Sequence, residues 1–456
     1  MRAFPILVLT CLAISAGSAV AQDTHYWNLQ YGARTTLLGG SVIGSVTDLG
    51  ATYYNPAMVA LIEKPEFVIS AKAYEYESLT LSDGVGTDLD LSSSNFIPAP
   101  SLIAGAIRQS WMGNNRFSYA VLTRQRMNYD VDAAATGTAD IIPGAGDDEY
   151  LTGFRSSQRM NDLWVGVSWA HRFAGVTSLG ITQFVGVRSQ SRRTQILAAA
   201  VSDSGEVGSA ILINDYDYRN YRTLWKFGFA WDLDNTTVGI TMTTPSVNLF
   251  GSGDALTAEV ASGFDRDGDM VEDPYLRIDA QEDVDAIYKS PMSVGIGVGH
   301  KAGDFHFHVS GEWYDKVSRY DVLQTVPYTV QTTGETAENR MIDEAVSVTN
   351  FGIGIEHTKS ETLSLYGSFN TDFSAAVNDP EVNHNVSSWD IYHIAGGSVI
   401  SYDKLDLTLG LAAAFGSQEV TRRTDISDPA NPSGQGGITK VSYSNWQAII
   451  GFRFEI

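Results

Sequence analysis

Stretches in which every second residue is apolar recur along most of the chain, and the connections between them alternate in length. About fourteen can be traced, at 64–78, 98–111, 115–131, 157–173, 176–190, 215–232, 235–249, 286–301, 304–322, 341–357, 361–373, 387–402, 404–417 and 438–456. Period two puts neighbouring side chains on opposite faces of a strand. Short turns fall at 112–115, 173–176, 232–235, 301–304, 357–361 and 401–404. Long polar connections fall near 79–97, 132–156, 191–214, 250–285, 323–340, 374–386 and 418–437. An even strand number with tight turns at one end predicts an all-β fold, a transmembrane antiparallel β-barrel of about 14 strands. In a bacterial outer membrane both termini then lie in the periplasm.

The faces agree with a barrel. In the last strand Trp446, Ala448, Ile450, Phe452, Phe454 and Ile456 share one face, with Gln447, Ile449, Gly451, Arg453 and Glu455 on the other. Charge is expensive against lipid, so the first set is expected outside and the second in the lumen. Phe305, Phe307, Val309 and Trp313 repeat the outward row opposite His306, His308, Ser310 and Glu312, and Leu405, Leu407, Leu409, Leu411 and Phe415 make a third. Because the two faces average out, 43% hydrophobic residues and a mean hydropathy of −0.09 suit such a barrel as well as a soluble protein. A net charge of −23 argues against a nucleic-acid partner.

Ahead of the strands, residues 1–21 read as a signal peptide: Arg2, an apolar run to Ile14, then Ala19-Val20-Ala21. The single cysteine, Cys11, lies within it, so no disulfide or Cys–metal site is expected in the mature chain. Residues 22–62 differ from everything after them. From Gln30 they run QYGARTTLLGGSVIGSVTDLGATYYNPAMVAL, rich in small residues and without a clear period. Such a stretch builds no core of its own, and the barrel of 63–456 is the available container.

Gly32-Ala33-Arg34, Gly39-Gly40, Asp48 and Tyr54-Asn55-Pro56-Ala57 resemble the N-terminal hatch of the FadL family of outer-membrane transporters. The strand Glu66–Tyr76 and Asn95-Phe96-Ile97-Pro98 resemble that family too. The resemblance implies passive uptake of long-chain fatty acids or other hydrophobic compounds. Ligand would be caught among extracellular loops, displace the hatch and leave sideways through the wall. It also implies outer-membrane lipid, lipopolysaccharide and the barrel assembly machinery as partners, and a monomer.

Apolar capture elements are expected at Ile196–Val201, which includes Leu197, at Ala210–Ile213 and at Val247–Phe250. Arg34, Arg192 and Arg193 offer partners for a ligand carboxylate, or ordinary ion pairs with nearby acids. Against a carboxylate, the 250–285 loop carries eleven acids and two bases. Asp265, Asp267, Asp269 and Asp273 in that loop have the spacing of Asp-rich calcium loops, although Met270 and Leu276 depart from an EF-hand. The alternatives are a structural Ca²⁺ or a solvated acidic loop; no other cofactor is expected. His306 and His308 point one way near Glu312, as a metal pair or as polar lumen lining. Ser, His and Asp are present without a spacing that selects a catalytic triad, so no enzyme is expected. A general porin for small polar solutes, or a structural outer-membrane protein, is the alternative to a hydrophobic-solute channel.

Overall fold

A computed structural model describes residues 24–62, 66–107, 112–144, 146–173, 175–265, 271–379, 382, 387–422, 424–427 and 436–455. The proposed signal peptide and Cys11 lie outside them, as do Asp267 and Asp269 of the calcium-type loop. The strands are β1 (Glu66–Ser82), β2 (Leu91–Ile107), β3 (Asn115–Ala139), β4 (Asp148–Arg172), β5 (Thr177–Val201), β6 (Val207–Leu233) and β7 (Thr236–Thr243). There follow β8 (Val247–Ser262), β9 (Tyr275–Asp285), β10 (Ser293–Ala302), β11 (Phe305–Tyr314), β12 (Val317–Asp321), β13 (Tyr328–Thr329), β14 (Thr336–Ala337) and β15 (Ile342–Ala345). The last five are β16 (Val348–Ser360), β17 (Leu363–Asp372), β18 (Ile391–Tyr402), β19 (Leu405–Thr421) and β20 (Ile438–Glu455).

Fourteen of these close a ring. β1 through β7 pair in sequence, β7 pairs with β10, then β11, β16, β17, β18, β19 and β20 follow, and β20 returns to β1 from Glu66↔Glu455 to Ser82↔Lys440. Every pairing in the ring is antiparallel, and the β20–β1 ladder closes it. The predicted faces hold. Phe307, Val309, Leu411, Trp446 and Phe452 are exposed on the outer wall, whereas His308, Ser310, Glu312 and Gln447 are buried inside.

Several long connections expected to be irregular are paired strand instead. β3, β4 and β5 have 25 residues each and β6 has 27, more than twice what a bilayer crossing requires. Thus 132–156 and 191–214 are the ends of tall hairpins. The 250–285 stretch is also largely a hairpin: the wall strand expected at 235–249 stops at Thr243, and after Pro245 the chain restarts as β8. β8 pairs with the upper half of β6 and with β9. Proline supplies no N–H to a ladder, which suits the break. Two small hairpins, β12–β15 and β13–β14, fill the stretch between β11 and β16.

Residues 24–62 run inside the ring and are buried almost throughout. They contain two short helices, α1 (Ala33–Leu37) and α2 (Ala51–Tyr54), and a 3-10 turn at Pro56–Leu61. Lacking a core of its own, the segment shares one with the wall: Leu29, Tyr31, Val46, Leu49, Tyr53 and Met58 pack with Leu102, Leu122, Trp164, Phe184 and Leu224. The inner wall is therefore apolar where the segment touches it, and not only polar.

Candidate functional site

The sequence motifs of the segment have local structural reasons. Asn55 is extended at φ −156° and caps the 3-10 turn: its Oδ1 accepts from the Ala57 N–H at 3.1 Å. Its Nδ2 donates to the carbonyls of Ile43 (2.9 Å) and Phe229 (3.2 Å), tying the turn to the segment and to β6. Pro56 sits at the first turn position, where a missing N–H costs nothing. Gly39 and Gly40 have φ of 58° and 75°, a region other residues enter at a cost. Asp48 accepts from the Gly50 N–H at 2.9 Å, and burial raises its pKa against that bond.

The wall is shaped to receive this backbone. Gly239 and Gly297 face each other across β7 and β10, and a Cβ on either would strike Ile43 and Gly44. Gly180 and Gly228 do the same for Pro56 and Ala57. The N-terminus is tied as well: His25 Nε2 lies 2.9 Å from the Trp389 carbonyl, and the N–H groups of Tyr26 and Trp27 donate to Asp372 Oδ1 at 3.0 and 2.9 Å. Burial takes the His25 pKa from 6.5 to about 3 despite its bond to that carbonyl.

On the side of the segment facing the tall hairpins lies a small, partly open chamber of about 30 Å³, room for a water or two. Aromatic rings line it: Tyr26 and Tyr53 from the segment, Trp164 from β4, Tyr314 from β11, and Tyr288. One cation of the lining, Lys226, and one beside it, Arg222, are committed to carboxylates. Arg222 pairs with Asp162, and Lys226 lies 3.4 Å from Glu312, which also accepts from Ser293 (2.8 Å), Tyr314 (2.8 Å) and Trp27 (3.2 Å). Arg124 differs. No ion pair is present for it among the described residues, and its buried Nη1 has no hydrogen-bond partner. It lies 5.9, 5.7 and 5.7 Å from the ring centres of Tyr26, Tyr53 and Trp164, so π faces do most of the compensation.

Arg124 is the extra residue of a β-bulge between Thr123 and Gln125. The β2–β3 ladder ends next to that bulge, running only from Ile107↔Phe117 to Leu102↔Leu122. Farther up, contact resumes through Asn95 Nδ2, which donates to the Asn128 carbonyl at 3.2 Å. Between these points no β2–β3 ladder pairing is present among the described residues, and the Tyr31 hydroxyl donates to the Thr123 carbonyl (2.9 Å) beside them. Pro98 and Pro100 fall on the β2 side of the gap, where an absent N–H is tolerated.

No protein-family model matches the sequence, and no curated protein does. Solved structures do match. The toluene transporter TodX of P. putida superposes with a TM-score of 0.58 at 14% identity, over 94% of this chain and 99% of TodX. A FadL homologue from Pseudomonas aeruginosa gives 0.56 at 13% identity, over 96% and 99%. The Ralstonia pickettii toluene transporter TbuX gives 0.53 at 12%, over 94% and 98%. The fold is that of the FadL-type channels.

Within this FadL-type barrel the expected site residues are scattered. Arg34 is at the short-turn end of the segment, where its Nε donates to Glu356 Oε2 at 2.9 Å; it is an ion-pair residue, far along the segment from the chamber. Arg193 pairs with Asp215 at 3.0 Å and, with Arg192, lines an outer cleft between β4, β5 and β6. Leu197 and Phe250 turn to the exposed outer face, whereas Ile196 turns inward to meet Tyr129 and Ile426. Asp265 and Asp273 both lie beside Phe264, but the middle of their loop is outside the described residues. Glu312 belongs to the chamber and not to the histidine pair. Arg124, Trp164, Arg222 and Lys226 were not singled out from the sequence. The available signal was a charged residue on an inward face, and at Arg124 the bulge obscures it.

Proposed function

We propose that this chain is an outer-membrane channel of the FadL family for hydrophobic compounds, with long-chain fatty acids as its foremost class. The observation that carries the reading is Arg124, a buried cation with no ion-paired carboxylate among the described residues, held among rings that include Tyr26 and Tyr53 of the internal segment. A ligand carboxylate supplies the missing charge, and its chain can lie against Tyr26, Tyr53 and Trp164. Short turns would face the periplasm, with both termini there, and the tall hairpins would face outward. Ligand caught among the hairpins reaches the chamber, displaces the segment acting as a hatch, and leaves through the β2–β3 gap beside Arg124. Leaving water for hydrocarbon gains about 0.8 kcal/mol per CH₂, so a sideways exit needs no energy source.

The ring lining also supports a second ligand class. TodX is described as a toluene transporter and CymD as a monoaromatic hydrocarbon channel, and once the segment yields to widen the chamber a small aromatic ring would stack there without using Arg124. One experiment separates the two. Protein purified in mild detergent is stripped, then titrated with palmitate and with toluene, in wild type and Arg124→Met. Palmitate binding that collapses in the variant supports the fatty-acid reading. Toluene binding that is unaffected, with no palmitate binding, moves the assignment to neutral aromatics. An empty barrel with a steady ionic current would overturn both in favour of a porin.

A further inference from the structure

At the other end of the segment, His306, His308 and Glu356 bring one ring nitrogen each and a carboxylate oxygen within 4.8 Å of one another. We propose that these three side chains form a binding site for a divalent first-row transition-metal ion, and that the ion competes with the Arg34 guanidinium for it.

The register builds the cluster. His306 lies directly opposite Glu356 across the β11–β16 ladder, and His308, two residues on, shares its face. His308 is flanked by Gly299 on β10 and Gly354 on β16, so no wall side chain crowds the imidazole from either neighbouring strand. Tetrahedral ligands about a zinc-sized ion stand roughly 3.4 Å apart, which these side chains reach by rotamer adjustment without moving strands. Two imidazoles and one carboxylate suit Zn²⁺, Co²⁺, Ni²⁺ or Fe²⁺, whereas Ca²⁺ and Mg²⁺ prefer all-oxygen sets.

The supporting contacts orient the donors. His308 Nδ1 lies 2.7 Å from Ser45 Oγ, while its Nε2 faces Arg34 Nη2 at 3.4 Å and Glu356 Oε2 at 3.8 Å. A guanidinium only donates, so Nε2 accepts and its lone pair points into the cluster, the tautomer a metal requires. Glu356 Oε1 is held by the Tyr366 hydroxyl at 2.9 Å, leaving Oε2 for the centre. Arg34 Nη2 touches both Oε2 and Nε2, so the guanidinium occupies the position the ion would take. His306, Glu356 and Arg34 each keep 13–14% side-chain exposure, which gives an ion a route from the short-turn side. Ion and guanidinium cannot both sit there, since two cations would share one carboxylate. Metal binding therefore pulls the latch that fixes α1. The consequence for gating rests on the hatch reading above; the site itself does not.

The test uses Co²⁺ as probe on metal-free, full-length barrel in mild detergent, followed by its visible d–d absorption. We expect one Co²⁺ per wild-type chain, about tenfold tighter binding in Arg34→Gln, and loss of the bands in His306→Gln and in His308→Gln. Each variant is first checked for the β-sheet circular-dichroism signal, and the less buried His306 serves should His308→Gln not assemble. Absence of Co²⁺ binding in both wild type and Arg34→Gln would overturn the site, as would binding unchanged by the histidine substitutions. Equal affinity in wild type and Arg34→Gln would overturn the competition. In planar bilayers Co²⁺ should raise the wild-type current and leave His306→Gln unaffected. Palmitate binding at Arg124, measured without metal, reports separately on the transport reading.

Discussion

Two arginines, one half-buried and one buried, hold the short-turn and hairpin sides of the internal segment, and they are held in opposite ways. Arg34 comes from the segment itself and is locked by Glu356 on the wall, with His308 and the Ser45 carbonyl beside it. Arg124 comes from the wall and meets the segment through Tyr26 and Tyr53, with no direct ion pair among the described residues. The first arrangement satisfies a charge and fixes a position. The second leaves a charge to be completed by something that arrives. On the function proposed above, the segment is latched on its short-turn side and completes a receptor surface on its hairpin side.

The contrast depends on the segment being seated, so the largest effect should come from unseating it. Gly239→Leu puts a side chain where the backbone of Ile43 and Gly44 lies. Forcing such bulk into a packed seat costs about 1–3 kcal/mol, and here the segment can yield while the wall cannot. Planar-bilayer recordings should show a stable leak of small ions, similar to that of a chain lacking residues 24–62. A folded Gly239→Leu barrel as tight as wild type would mean that the segment does not seal the lumen.

A second substitution sharpens the hairpin-side half alone. Arg124→Met keeps volume and apolar contact but removes the charge. A hydrogen bond to a charged group contributes about 1.5–3 kcal/mol, so palmitate affinity should fall by roughly 10- to 100-fold. Toluene, having no charge to pair, should bind as before. Equal losses for the two ligands would show that Arg124 only supports the shape of the chamber.

How much of this was legible in the sequence follows from which contacts are local. Period two is a property of neighbours, and it placed His308, Glu312 and Trp446 on their observed faces. Turn composition counted the ring correctly. The tall hairpins were missed because strands that leave the bilayer no longer need an apolar outer face, so their alternation fades in β3 to β6. The bulge hid more. Inward residues on β3 are even-numbered through Ser118, Ala120, Leu122 and Arg124, then odd-numbered from Gln125 through Met127 to Val131. A single parity read along 115–131 loses register at Arg124. Glu356 was out of reach for another reason: its partner His306 lies across a pairing that skips β12 to β15, and nothing in the spacing reports that ladder.

Acid should loosen the segment at its N-terminal tether, by less than either substitution at neutral pH. His25 is seated neutral, with a pKa of about 3 against an ordinary 6.5. A released His25 takes a proton that the seated ring refuses, so seating weakens as pH falls below 6.5 and continues to weaken towards 3. Each pH unit in that window costs about 1.4 kcal/mol. Protection factors for amide exchange at residues 24–30, corrected for the intrinsic rate, should therefore fall from pH 7 to pH 5. His25→Gln, which can keep a donor to the Trp389 carbonyl, should flatten the trend; a slope unchanged in that variant would assign it to another group.

The smallest effect belongs to the arginines that the sequence brought forward for the mouth. Arg193 is more than half exposed and already pairs with Asp215, which is one third exposed. Such pairs contribute about 0–1 kcal/mol and are screened by salt. Arg193→Ala should therefore leave equilibrium palmitate affinity within about twofold of wild type. Its influence should be confined to the association rate, where a cation beside the strongly acidic β8–β9 hairpin offsets repulsion of an incoming carboxylate. Stopped-flow association at low and at 0.5 M salt distinguishes the cases. A wild-type association rate above that of the variant at low salt, with the difference vanishing at high salt, makes Arg193 a steering charge. An equilibrium loss as large as that of Arg124→Met would instead make the outer cleft a binding site in its own right, and the contrast between a receptive chamber and a latched far side would have to include a third station.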